Sequence, residues 1–200
     1  MIIIIGALLG AAVLGVSAAI FGPQLLGFEE PAQEAGPSAP APEAPQLGEF
    51  TEFTHEPTGI ALSYPASWLR LNTDDPQILL LASDGPTNNF LLRAVELQNP
   101  VGQQELGAAK QLTDQIVGAN KSAKLLVAPQ QLTIAGLPGY WYFYSFQDEA
   151  SGSVGAHSHF FLFKDKTMLS FVYQTVPLEK FQESAPIFDK INGSLRVLEK

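Results

Sequence analysis

From Ile2 to Gly22 the chain carries no charged side chain, and Ser17 is the single hydroxyl in the run. Coiled as a helix, such a run extends about 30 Å, which matches the hydrocarbon core of a bilayer. A helix that is apolar on every side has no polar face to offer water, so it does not belong on the outside of a soluble core. Residues 1–28 are therefore expected to form a transmembrane anchor or signal-anchor, with Pro23 and Gln24 marking its exit. The competing expectation is a cleaved signal peptide, because Val16-Ser17-Ala18 ahead of Ala19 is an acceptable small-residue cleavage site. The apolar run is longer than a usual signal-peptide core, which favours retention. No Lys or Arg precedes the run, so the positive-inside rule has nothing to count on that side. The expected arrangement is single-pass in the cell membrane, with the domain extracytoplasmic, and it rests on the segment that follows.

That segment, residues 29–48, changes composition abruptly. Pro31, Pro37, Pro40, Pro42 and Pro45 sit among Ala, Glu and Gln. Proline breaks the helix that Ala and Glu favour, and nothing here can bury apolar surface. The expectation is a disordered Pro/Ala-rich spacer, semi-extended, of the kind that tethers exported domains. Residues 49–200 remain, about 150 in number, which suffices for one domain with its own core.

Charge and cysteine content remove several function classes. The chain has 11 basic and 20 acidic residues, for a formal net charge of -9. Four of the acids (Glu29, Glu30, Glu34, Glu43) precede residue 49, where there is no Lys or Arg, so the domain carries 11 − 16 = -5. An acidic domain without clustered Lys and Arg does not bind nucleic acid, because phosphate must be neutralised by such clusters. Cysteine is absent, which excludes a disulfide framework, a thiolate zinc site, a Cys nucleophile and an acylated Cys.

Hydrophobic periodicity outlines the domain. Ile60, Leu62 and Tyr64 alternate as in a strand that Pro65 ends, after a first strand-like stretch from Phe50 to Glu56. Residues 77–82 and 89–97 read as strands joined through the turn signal Asp84-Gly85-Pro86. Leu106, Ala109, Leu112, Ile116 and Val117 fall on one helical face, with Gly118 and Asn120 as stop residues. Residues 124–135 are strand-like and broken near Pro129, and Gly136-Leu137-Pro138-Gly139 reads as a turn. In residues 140–147 Tyr140, Tyr142, Tyr144 and Phe146 alternate with Trp141, Phe143 and Ser145. After the loop 148–155, residues 156–164 and 168–175 form a hairpin around Asp165-Lys166. From Pro177 to Gly193 Phe181, Phe188 and Ile191 give an apolar face, and Pro186 is expected to split the segment into two short helices. The fold class is α+β, an antiparallel β-sheet covered by helices.

Two stretches carry a family resemblance. Gly59-Ile60-x-Leu62-x-Tyr64-Pro65-x-x-Trp68 and Phe188-Asp189-x-Ile191-x-x-Ser194-Leu195-Arg196 resemble the opening and closing signatures of the PsbP-like family. That family includes photosystem II extrinsic proteins and bacterial exported proteins and lipoproteins. The resemblance covers about residues 50 to 198. It implies an α/β/α sandwich and a non-catalytic role, docking to a membrane complex or envelope partner or assisting its assembly. It carries over no ligand-binding residue, since Tyr64 and Trp68 are expected to pack the core.

Candidate chemistry is sparse. His157-x-His159 on a strand places two imidazoles on one face about 7 Å apart, at about 3.3 Å rise per residue. With a carboxylate, or with His55 if the first strand lay adjacent, they would suit a metal ion or a metal-dependent hydrolase. The plainer expectation for the pair is a solvated strand edge. No Gly-x-Ser-x-Gly, phosphate-binding loop or dinucleotide fingerprint is present, so no catalytic residue and no cofactor is assigned. Tyr140, Tyr142 and Tyr144 are the partner-binding candidates, because tyrosine joins apolar area to a polar tip, though a covering helix would bury them instead. The function expected is a membrane-tethered extracytoplasmic binding or assembly module without catalytic activity. The membrane and a protein are its partners. The alternatives are a metal-binding protein or hydrolase using His157 and His159, and a small-ligand carrier.

Overall fold

The computed structural model describes residues 47–199. The expected anchor at residues 1–28 lies outside the described residues, as does all but the end of the expected spacer. Among the described residues, no helix is long and apolar enough to cross a membrane.

The domain is built in three layers. Eight strands form its central sheet: β3 (Leu69–Arg70), β4 (Ile78–Ser83), β5 (Asn88–Glu96), β6 (Lys124–Leu125), β7 (Gln130–Ile134), β8 (Leu137–Gln147), β9 (Val154–Lys164) and β10 (Thr167–Thr175). Their order is β3-β4-β5-β10-β9-β8-β6, with β7 also paired to β8. A second sheet joins β1 (Phe50–His55), β2 (Ile60–Pro65) and β11 (Arg196–Val197), in the order β1-β2-β11. Every strand pairing among the described residues is antiparallel.

Period-two alternation decides what each face of the large sheet meets. One face carries Tyr140, Tyr142 and Tyr144 of β8, Phe161 and Phe163 of β9 and Met168 of β10, and packs on helix α1 (Leu106–Ala119). Leu106, Ala109, Thr113 and Val117 are the buried positions of α1, at helical spacing. The opposite face carries Phe90, Leu92, Trp141, Phe160, Leu162, Phe171 and Tyr173. It meets Phe53, Ile60 and Leu62 of the small sheet and Phe181, Phe188 and Ile191 of helix α2 (Phe181–Gly193). Trp68 lies in this second core with its ring edge-on to Phe188, as expected of a packing residue.

Three local expectations are corrected. Pro186 does not divide its segment: α2 runs through it, and the break instead falls before Phe181, where a 3-10 turn (Leu178–Lys180) precedes the helix. Proline at this place removes one bond, to the carbonyl of Gln182, an exposed residue of the first turn. The buried residues Phe181, Ala185, Phe188 and Ile191 hold the helix against that loss. Second, the turn after β7 is Ala135-Gly136, both at positive φ (51° and 78°), and Leu137 to Gly139 already belong to β8. A two-residue hairpin with both residues left-handed matches strand twist better than the four-residue turn read from the Gly and Pro pattern. Third, Gly118 does not stop α1: the helix passes through it to Ala119, and Asn120 provides the extended residue that ends it.

Candidate functional site

The two imidazoles are interior. β9 lies between β8 and β10, so His157 and His159 stand in the middle of the sheet and not at a solvated edge. They are only 4% and 5% exposed. His157 pairs across β8 with Tyr144 and His159 with Tyr142, on the face that α1 covers. The His157 ring centroid lies 3.9 Å from that of Phe146 and 4.4 Å from that of Tyr144, and His159 stacks on Phe161 at 3.8 Å. Burial depresses both basicities. The His157 pKa falls well below the ordinary 6.5, helped by neighbouring His159, and burial alone takes His159 to about 3. Both rings are neutral at physiological pH.

Neutral imidazoles can ligate a metal, but the remaining donors are missing. Among the described residues, no group of three His, Cys, Asp or Glu side chains is placed to hold an ion. His55 lies in the small sheet, on β1, where its Nδ1 meets the hydroxyl of Thr58 at 3.0 Å. The hydrolase reading fares similarly. His159 Nε2 hydrogen-bonds the hydroxyl of Ser170, as a base would hold a nucleophile, while Nδ1 faces the Tyr144 hydroxyl at 3.4 Å. Ser170 is 5% exposed and so cannot meet a substrate. The third member is a phenol where the triad needs a carboxylate, and an imidazole of such low basicity does not accept the proton near neutrality.

The tyrosine stripe is interior as well. Tyr140, Tyr142 and Tyr144 are buried beneath α1 and form no surface for a partner. Each phenol is used. Tyr140 donates to the Leu106 carbonyl at 3.1 Å, Tyr142 donates to Asp114 Oδ1 at 2.7 Å and lies 2.7 Å from the Thr113 hydroxyl, and Tyr144 meets His159. Lys110 completes the Tyr142 cluster with its ammonium 2.8 Å from Asp114 and 5.8 Å from the Tyr142 ring centroid. Burial raises the Tyr142 pKa, with Asp114 adding to the rise. Burial works to raise the Asp114 pKa too, but hydrogen bonds from Lys110 and Tyr142 outweigh it and hold the carboxyl below its usual range.

Cavities give little support to a carrier. A depression of about 130 Å³ beside Arg70, Thr73 and Leu80 is smaller than the several hundred Å³ of typical ligand pockets. A wider one of about 470 Å³ is bounded by Glu56, Gly59, Leu198 and Glu199 and lies open to solvent.

Sequence reasoning missed the exposed apolar segment at the edge of the large sheet. Leu125, Leu126 and Val127 are 53%, 42% and 38% exposed, between the two lysines Lys121 and Lys124 and the break at Pro129. The signal was present: three consecutive apolar residues cannot all face one side of a strand. At the opposite edge Leu69 and Leu71 are exposed around Arg70.

No family model matches the chain, and no curated protein does. Solved structures do. The architecture is that of the PsbP-like α/β/α sandwich, and the chain has the PsbP-like fold. It is similar to cyanobacterial PsbP (CyanoP) from Synechocystis sp. PCC 6803, with a TM-score of 0.57 and 14% identity over 80% of this chain and 99% of that one. It is similar to LpqN of Mycobacterium tuberculosis, described as involved in cell envelope biogenesis, with a TM-score of 0.54 and 11% identity over 76% and 91% of the two chains. A protein from Bacteroides thetaiotaomicron matches with a TM-score of 0.53 and 14% identity over 78% of this chain, which spans 50% of that protein's length. Identities this low establish the fold alone.

Proposed function

We propose that this protein is a non-catalytic binding or assembly module of the cell envelope, tethered to the membrane and working on a partner at its outer surface. The observation that carries the reading is the interior position of the side chains that most suggest chemistry. His157, His159, Ser170 and the three phenols all lie within the packed sheet, whereas six of the seven exposed large apolar residues among the described residues lie on or beside edge strands. Reactive groups withdrawn from solvent do not turn over substrate, and apolar surface left at an edge suits contact with a partner. The likeness to LpqN, whose described involvement is in envelope biogenesis, and to CyanoP supports the same class. The uncharged run from Ile2 to Gly22, followed by a proline-rich spacer, supports tethering.

The test is fractionation of the producing cells with protease accessibility. The full chain is expected in the membrane fraction after a high-salt wash, cleavable from the outside of intact cells. In native electrophoresis after mild detergent it is expected to migrate with an assembly larger than the monomer. A salt-extractable monomer protected inside the cell would overturn the proposal. Stoichiometric zinc or copper that is lost on replacing His157 and His159 would favour the metal reading instead.

A further inference from the structure

We infer that the edge formed by Lys121, Lys124, Leu125, Leu126 and Val127 is a docking surface for an anionic lipid bilayer. The geometry begins with β6. Lys124 and Leu125 pair with Ser145 and Tyr144 of β8, and the Leu126 amide donates to the Phe143 carbonyl at 2.8 Å. The backbone is thus held to the sheet while all five residues from Lys124 to Ala128 are exposed. Val154, another exposed apolar residue, lies across β8 at Gln147, and the Ser122 hydroxyl accepts from the Gln147 amide at 3.0 Å. Leu125, Leu126 and Val127, three of the seven exposed large apolar side chains among the described residues, thus stand in sequence along this one edge.

Charge selects the occupant. The domain as a whole is acidic, yet from Gln115 to Gln147 the chain has two lysines and no acidic residue. Of the flanking carboxylates, Asp114 is paired with Lys110, and Asp148 accepts from Ser151 within its own loop. On the C-terminal side, Glu149 is the first exposed carboxylate after the patch. Neither lysine here forms an ion pair with an acidic side chain among the described residues. Two cations without an acidic partner beside protruding leucines and valine match a surface of anionic headgroups over an apolar interior, whereas a second copy meeting this patch with its own would set lysine against lysine. Two lysines and three aliphatic side chains bind weakly on their own. Here the proposal rests on the tethered reading: a spacer of residues 29–48 would confine the domain to within several tens of ångströms of the bilayer, so weak docking suffices.

The protein has no native cysteine, so Val127→Cys can be labelled singly with a polarity-sensitive fluorophore in the full chain. Thr51→Cys, at an exposed position in the small sheet, is the control. In phosphatidylcholine vesicles containing phosphatidylglycerol, the label at 127 is expected to shift to the blue and to lose quenching by iodide. The label at 51 stays unchanged. The double change Lys121→Glu with Lys124→Glu, or high salt, is expected to reduce the shielded fraction by roughly tenfold or more. Flotation with pure phosphatidylcholine vesicles reads the tether separately. A chain that fails to float there sinks the tethered reading, while the response to phosphatidylglycerol still reads the patch. The inference is overturned if position 127 stays quenchable in both lipids, or if charge reversal changes nothing. It is also overturned if shielding appears without vesicles and rises with protein concentration, which would mark a contact between copies.

Discussion

The phenol of Tyr142 donates to Asp114 Oδ1 at 2.7 Å, and this bond joins strand β8 of the large sheet to the solvent side of α1. The Thr113 hydroxyl lies equally near, fully buried, and bonds the Lys110 carbonyl at 2.9 Å. Lys110 closes the cluster from outside through its ion pair with Asp114, so α1 is held in register along the tyrosine row by polar as well as apolar contacts. Removing the phenol oxygen while keeping the ring isolates the polar part. Tyr142→Phe is expected to lose about 1 to 2 kcal/mol of unfolding free energy, read by urea denaturation at neutral pH. Tyr142→Ser also empties the ring's volume, and about 3 to 5 kcal/mol is expected. A Tyr142→Phe variant as stable as the parent would show that the phenol contributes nothing to docking α1.

Acid should weaken the domain through its buried histidines. Both folded-state pKa values are depressed: His159 to about 3 and His157 well below 6.5. The unfolded chain therefore binds more protons below pH 6.5 than the native state does. The stabilisation is complete above 6.5 and is lost as pH falls from there toward the folded values. Each depressed imidazole contributes a slope of about 1.4 kcal/mol per pH unit in that window. Carboxylates add their own slopes, so the informative quantity is a difference. His159→Gln keeps a polar side chain beside Ser170 and should flatten the fall in stability relative to the parent between pH 6.5 and about 4. Parallel stability profiles for the two proteins would contradict the burial argument.

Gly139 stands where the backbone of β9 leaves no room for a side chain on β8. A Cβ at this position would run into the carbonyl oxygen of Phe161, which is backbone and cannot turn away. Gly139→Ala should therefore cost about 2 kcal/mol or more, measured by thermal or chemical unfolding. Gly107, whose Cβ position is open, is the control: Gly107→Ala in α1 should be neutral or stabilising by up to about 1 kcal/mol.

The domain is expected to fold without the preceding residues. Each apolar face has a partner inside the described chain: α1 covers the tyrosine face, and α2 with the small sheet covers the other. A chain truncated to begin at Leu47 should be a folded monomer at low concentration with a single cooperative transition. Loss of near-ultraviolet dichroism with retained secondary structure would show that the core needs the missing segment.

Periodicity made the elements legible. The alternation of residues 140–147, the helical spacing of Leu106, Ala109 and Val117, and the Asp165-Lys166 hairpin all stand where local pattern placed them. The short strands β3 and β11 were not legible, because two residues carry no period and pair only once a neighbour is in place. The site was less legible than the fold. Tyr140, Tyr142 and Tyr144 share a face in any strand, but a pattern of period two does not say whether that face meets a helix or water.

Chemistry written into side-chain type and local order was determined by the sequence alone: no cysteine chemistry, an acidic domain, an uncharged N-terminal run and an α+β alternation of elements. Sheet order decided the rest. His157 and His159 became interior because β8 and β10 flank β9 and α1 covers the face they share with Tyr142 and Tyr144, and Leu125 to Val127 stayed exposed because among the described residues no strand lies beyond β6. Burial is a property of neighbours brought together across long stretches of chain. A residue's own sequence surroundings record its partners within a turn or a strand, and not what the fold will later lay over it.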